Sequence, residues 1–207
     1  MTIWDISSVR RSESTEDRGR RILEKMEQSN RFEYGEMAIK SVGFIRSELK
    51  APSLKANQKD IELEQGLQQT AIEAKYIRSL ISELVINPEL NGILDGLEDF
   101  SHALVLYWPH LLSPHGRSLI KVHPIGHKSF PLVGVFATCS PARPNPILVT
   151  TVRIIEKKEN ILKVQGLEAV DGSPIIDIKP YTSAYYSAED VRVSDWMNQI
   201  QQAISQA

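Results

Sequence analysis

The spacing of apolar positions changes several times along this 207-residue chain, and each change marks an element. From Met37 the run Ala-Ile-Lys-Ser-Val-Gly-Phe-Ile-Arg-Ser alternates as a strand does, and the polar residues 50–60 that follow read as a loop. Leu63, Leu67, Ala71, Ala74, Ile77 and Ile81 then recur at three- and four-residue intervals, which predicts a helix over 62–79. The stretch SELVINPELNG predicts a strand ended by an Asn-Pro turn. Short apolar runs at 102–108, 119–123, 132–137, 147–155 and 161–167 alternate with Pro, Gly and Ser, the punctuation of a compact antiparallel barrel or sandwich. Trp196, Ile200 and Ile204 fall in helical register and predict a closing helix near 194–205. Residues 14–30 read as an exposed helix: Ser14 or Thr15 caps it, Glu16 and Asp17 occupy its first turn, and Ile22, Leu23 and Met26 form a narrow apolar edge. The division expected is an N-terminal helical extension over 1–36 and a mainly β domain over 37–207.

Composition narrows the class. One cysteine excludes an intramolecular disulfide framework and fits a reducing compartment. The opening MTIWDISSVRRSES has no apolar core of a signal peptide, and no apolar run approaches a membrane span. A soluble, cytoplasmic protein with no membrane partner is expected. The net charge of −2 argues against a generic nucleic-acid binder, but its distribution is uneven. Residues 101–150 carry four basic side chains (Arg117, Lys121, Lys128, Arg143), all five histidines and no carboxylate. Two readings stand side by side: a surface for an anionic partner such as RNA, or buried strand where charges are scarce.

Several chemistries are missing. No Gly-x-Gly occurs, which removes the Rossmann dinucleotide turn and the glycine-rich loop of common methyltransferases. P-loop, CxxC and HExxH motifs are absent as well. His123-Pro-Ile-Gly-His127 cannot be a helical pair with Pro and Gly inside it, and no carboxylate lies nearby, so no metal site is expected. A hydrolase built on Cys139 or Ser140, with a histidine base and Asp171 or Asp177 as orienter, has nothing to fix its geometry and ranks lower still.

Two segments are constrained beyond plain scaffolding. In GVFATCSPARPNPILVT, Pro141, Pro144 and Pro146 fix their own φ angles and restrict the residues before them, so Arg143 and Asn145 lose most of their freedom. A rigid bend and a preorganised ligand site both fit that pattern. In DGSPIIDIKPY a tight Asp-Gly turn leads into a strand, and alternation puts Asp177, Lys179 and Tyr181 on one face, opposite Ile176 and Ile178. That face is either a solvated strand side or one wall of a site.

GVFATCSPARPNPI, DGSPIIDIKPY, LEDFSHALVLYWPH and IKSVGFIRS together resemble the TsaA-like (TrmO-type) tRNA methyltransferases, and the order of these segments along the chain agrees as well. The resemblance runs from about Ala38 to Tyr181. It implies a single-sheet antiparallel β-barrel that uses S-adenosylmethionine without a Rossmann fold, works as a homodimer with the site near the subunit interface, and methylates N6 of threonylcarbamoyladenosine beside the tRNA anticodon. The cofactor site it implies falls on Gln58, Lys59, Asp60, His110, Leu111, Cys139, Val149 and the turn Asp171-Gly172-Ser173-Pro174. Asp171 is then a candidate partner for the cofactor's ammonium. The acceptor nitrogen is delocalised into a purine and a carbonyl, so it needs a group that takes its proton and in-line placement of the methyl. Asp177 and Tyr181 are candidate acceptors of that proton. Lys179, Arg143 and Asn145 are candidates for the threonyl carboxylate or the loop phosphates.

Three departures from the family pattern stand out. Cys139 and Leu148 stand where Arg and Gly are usual, and Gln58-Lys59-Asp60 replaces a Gln-Pro-Gly-like stretch. The loss of a permanently charged planar donor at Cys139 keeps two alternatives open: methylation of another small or nucleotide-like substrate, and a non-catalytic S-adenosylmethionine- or RNA-binding module.

Overall fold

A computed structural model describes residues 38–52, 55–56, 61–62 and 67–207. The chain divides into two units, Met1–Ala38 and Ile39–Ala207. Every element described below belongs to the second, and the helix expected at 14–30 lies outside the described residues. In chain order the elements are β1 (Gly43–Arg46), β2 (Lys55–Ala56), β3 (Ile61–Glu62), α1 (Leu67–Ser79), β4 (Ile81–Ile86) and β5 (His102–Tyr107). There follow β6 (Lys121–Val122), β7 (Val133–Gly134), β8 (Leu148–Lys158), β9 (Ile161–Gln165), β10 (Pro174–Pro180), α2 (Ser183–Tyr186) and α3 (Asp195–Gln206).

Six strands close into one antiparallel barrel in the order β1-β10-β5-β8-β9-β4. Alternation makes this possible. Leu84, Val105, Val152, Leu162, Val164 and Ile175 point inward with at most 1% exposure, while the residues between them face out. Full burial of such a side chain contributes about 1.5–3 kcal/mol, so these positions carry much of the barrel's stability. At the seam of β1 and β4, a Cβ on Gly43 would lie 2.2 Å from the Val85 carbonyl oxygen, so only glycine lets the strands pair there.

Strand β10 holds the feature that matters for function. Ile175 pairs with Tyr107, yet Asp177 pairs with Leu106, leaving Ile176 as the extra residue of a β-bulge. A regular ladder would put Ile175 and Asp177 on the same side. The bulge keeps Ile175 and Ile178 against the core and turns Asp177 and Lys179 outward.

The sequence reading is revised in four places. The helix is described from Leu67, and Glu62, expected as its start, pairs instead with Lys55 of the expected loop. Ile81 is the first residue of β4, not part of the helix. The runs at 119–123 and 132–137 are not barrel strands; they form the short β6–β7 pair beside the barrel. The one-turn helix α2 was not foreseen. Helix α3 lies where the closing helix was expected and packs on α1.

Candidate functional site

Four strand ends meet at one rim of the barrel, and the Asp171–Pro174 turn sits among them. Gly172 has φ +80°, which glycine adopts without strain. The turn is tied to the C-terminal end of β1: the Ser47 and Lys50 nitrogens donate to the two Asp171 carboxylate oxygens, each at 2.9 Å. The Ser47 amide first, then the Lys50 ammonium, hold the Asp171 carboxyl below the usual carboxylate range. Asp171 therefore already has a cationic partner inside the chain. From the end of β5, Trp108 N–H donates to the Pro174 carbonyl at 3.0 Å, and His110 Nδ1 lies 3.3 Å from the buried Ser173 hydroxyl. Leu111 and Val149 are 52% and 57% exposed and present apolar surface at this rim.

Below this rim the outer face of β10, β5 and β8 forms three rows. Asp177, Leu106 and Val149 make the first; Lys179, Leu104 and Thr151 the second. Tyr181, whose N–H donates to the His102 carbonyl, His102 and Arg153 make the third. Lys179 Nζ lies 2.6 Å from Asp177 Oδ2, and that carboxylate raises the Lys179 pKa. Tyr181 stacks on Tyr186, with ring centroids 5.6 Å apart, and meets the His102 ring edge-on. Tyr185 packs edge-on against Tyr186 and is 83% exposed.

The proline-rich loop has an internal explanation for its arginine. Arg143 Nε donates to the Ser140 carbonyl at 2.7 Å and Nη2 to the Thr138 carbonyl at 2.5 Å, clasping the backbone on both sides of Cys139. Arg143 thus braces the loop. Cys139 and Asn145 are exposed on it.

The structure accordingly brings His110 and Asp171 to Pro174 together at the rim, sets Val149 in the same row as Asp177, and lines Asp177, Lys179 and Tyr181 along one outer face. Gln58, Lys59 and Asp60 lie outside the described residues. Sequence reasoning missed Tyr185, Tyr186, His102 and Arg153; the Tyr-Tyr pair after Lys-Pro-Tyr and the outward parity of Arg153 were the available signals. Among the described residues no group of three or more His, Cys, Asp or Glu could hold a metal ion, and no helix is long and apolar enough to cross a membrane.

The rim thus combines exposed apolar side chains, a turn of exposed backbone at Gly172, and an imidazole beside a hydroxyl.

Comparison with known proteins agrees with this geometry. The family described as the tRNA-methyltransferase O N-terminal domain matches residues 65–187. A probable S-adenosyl-L-methionine-binding protein of Methanothermobacter thermautotrophicus is 42% identical over 146 residues, covering 70% of this chain and 90% of that one. The human tRNA (adenine(37)-N6)-methyltransferase is 37% identical over 108 residues, but these make up 51% of this chain and 23% of the human protein. The solved TrmO of Pseudomonas aeruginosa superposes with a TM-score of 0.54 at 26% identity, over 77% of this chain and 62% of that one. With its barrel, its two constrained segments and more than half its length accounted for in this way, the chain belongs to the tRNA-methyltransferase O family.

Proposed function

We propose that this protein is an S-adenosylmethionine-dependent methyltransferase acting on N6 of threonylcarbamoyladenosine beside the tRNA anticodon. The observation that carries the reading is the register of β10, β5 and β8. It sets the Asp177–Lys179 pair on the outer face directly below the rim of His110, Val149 and the Asp171–Pro174 turn. The names of the archaeal and human relatives support both the cofactor and the target base.

When bound, S-adenosylmethionine supplies a methyl group on an electrophilic sulfonium. His110, Leu111, Val149 and the turn backbone are the residues that would hold it. Asp177 is the candidate acceptor of the N6 proton of the adenosine, with the Lys179 ammonium 2.6 Å from its carboxylate. Tyr181, Tyr186 and Tyr185 present ring faces on which unpaired anticodon-loop bases can stack, a contact that tolerates any base. Exposed Ile120, Leu132 and Phe136 of the β6–β7 pair and its flanks support a homodimer through that apolar surface. A tRNA substrate also supports a cytoplasmic location. Exposed Cys139, where the family usually has an arginine, favours a second reading in which the same site methylates a smaller nucleotide-like acceptor.

Calorimetry with S-adenosylmethionine, followed by transfer of labelled methyl to unfractionated tRNA, tests the proposal. Binding with transfer into tRNA supports it. Absence of binding overturns it, and binding with transfer only to free nucleotides replaces it by the second reading.

A further inference from the structure

The outer face does not end at Tyr181. Its third row runs on into a cavity of about 580 Å³, roofed by α1 and α3 through Ile77 and Ile200 and floored by Thr151, Arg153 and His102. The Arg153 side chain has no hydrogen bond or ion pair among the described residues, although it is exposed and lines the floor of this cavity. An unpaired guanidinium in such a place is a ready partner for a planar anion, because its fork matches a carboxylate with two parallel hydrogen bonds.

We infer that this cavity receives the carboxylate-bearing substituent on the N6 of the acceptor adenosine, with Arg153 as the residue that recognises its carboxylate. The inference rests on the methyltransferase reading above and adds to it the part of the substrate that is selected.

Distance along the ladder supports it. Arg153 is two strands across and two residues along from Lys179, which strand spacing and rise convert to a Cα separation of about 12 Å. A threonylcarbamoyl group carries its carboxylate about 6 Å from N6. With N6 at Asp177 and Lys179, the substituent crosses Leu104 and Thr151 and ends within reach of an extended Arg153 side chain. His102, held by Ser101 at 2.8 Å and by the Tyr181 ring, walls the same path. Arg143 does not serve this role, since it is committed to the Thr138 and Ser140 carbonyls of its own loop.

The cavity also contains Glu168, which at first sight would repel an incoming carboxylate. Burial pushes its pKa up, and Arg78 acts against that shift. Arg78 lines the same cavity and sets a second positive charge against the Glu168 and Glu73 carboxyls.

The test compares wild type with Arg153→Ala and Arg153→Lys on two tRNA anticodon stem-loops. One carries threonylcarbamoyladenosine; the other carries its amide, in which the carboxylate is neutral. Methyl transfer, stem-loop affinity by fluorescence anisotropy, and S-adenosylmethionine affinity by calorimetry are measured for each pair. For Arg153→Ala the expected result is a roughly 10- to 100-fold loss of affinity and kcat/KM on the carboxylate acceptor. Cofactor affinity should stay unchanged and the loss on the amide should be less than about twofold, with Arg153→Lys in between. Equal losses on both acceptors, or no loss on the carboxylate, overturn the assignment of Arg153 while wild-type transfer leaves the methyltransferase reading intact. No transfer by wild type to either acceptor overturns both.

Discussion

Tyr107 offers a demanding test of the fold at the point where it supports the site. Its ring is 3% exposed at the end of β5. Its hydroxyl donates to the Glu168 carbonyl at 2.6 Å and lies 3.3 Å from Thr150 Oγ1. Burial pushes its pKa up to about 12, opposed by the Thr150 hydroxyl. Replacing Tyr107 with Phe preserves the ring but leaves the Glu168 carbonyl without its donor. An unsatisfied buried acceptor costs about 1–3 kcal/mol, so a loss of about 1–3 kcal/mol near pH 8 is expected. The pH dependence adds a second signature. Between the unfolded value near 10 and the folded value near 12, the unfolded chain releases the Tyr107 proton and the folded chain keeps it. The folded state then binds more protons, so wild-type stability falls as pH rises, by about 1.4 kcal/mol per unit from this group alone. Urea melts of wild type and Tyr107→Phe at pH 8 and pH 11 isolate the effect, since all other groups titrate alike in both. The stability advantage of wild type should shrink by about 1 kcal/mol or more at pH 11. An advantage that is absent at pH 8, or unchanged at pH 11, refutes the buried, hydrogen-bonded phenol.

Other consequences follow from the same geometry. Asp171→Asn should uncouple the turn from β1 and weaken S-adenosylmethionine binding by calorimetry. Because the folded pKa of Asp171 is held below its ordinary value of 3.8, its stabilising effect is present above that value and is lost as pH falls through the folded pKa. Acid unfolding of the variant should therefore lack part of the wild-type decline below about pH 4. Gly43→Ala should separate β1 from β4, because its Cβ meets the Val85 carbonyl, and should lower the melting temperature in a calorimetric scan. Leu84→Ala, at a fully buried barrel position, should cost about 2–5 kcal/mol in urea denaturation. Tyr186→Ala should weaken stem-loop binding in anisotropy by removing the ring stacked on Tyr181, with cofactor affinity unchanged.

Most barrel strands were legible in the sequence because one buried face imposes period two, and β4, β5, β9 and the core of β8 carry that pattern openly. What escaped was set by contacts between distant residues. The consecutive isoleucines 175 and 176 do not reveal a bulge, although the bulge is what turns Asp177 and Lys179 outward together while Ile175 stays inside. The runs around 121 and 133 have strand composition, but only their two-residue pairing beside the barrel shows that they are not staves. The sequence leaves the rigid loop open between a bend and a ligand site, because a side-chain bond to a carbonyl three or five residues back leaves no mark on the apolar pattern. Likewise nothing in the spacing announces that Asp171 would meet Lys50, 121 positions earlier. Arg153 was in plain view between Val152 and Ile154. An isolated charge on an outward strand position reads as solvent-facing until helices α1 and α3 are placed over it.

The central claim is that methyl transfer takes place on the outer face of β10, at the Asp177–Lys179 pair. Mass spectrometry of tRNA nucleosides, after incubation with S-adenosylmethionine and either wild type or Lys179→Ala, tests it most directly. The account predicts methylated threonylcarbamoyladenosine with wild type and at least about a hundredfold less with Lys179→Ala, whose exposed position should leave the fold unchanged. Equal methylation by the two proteins would contradict it.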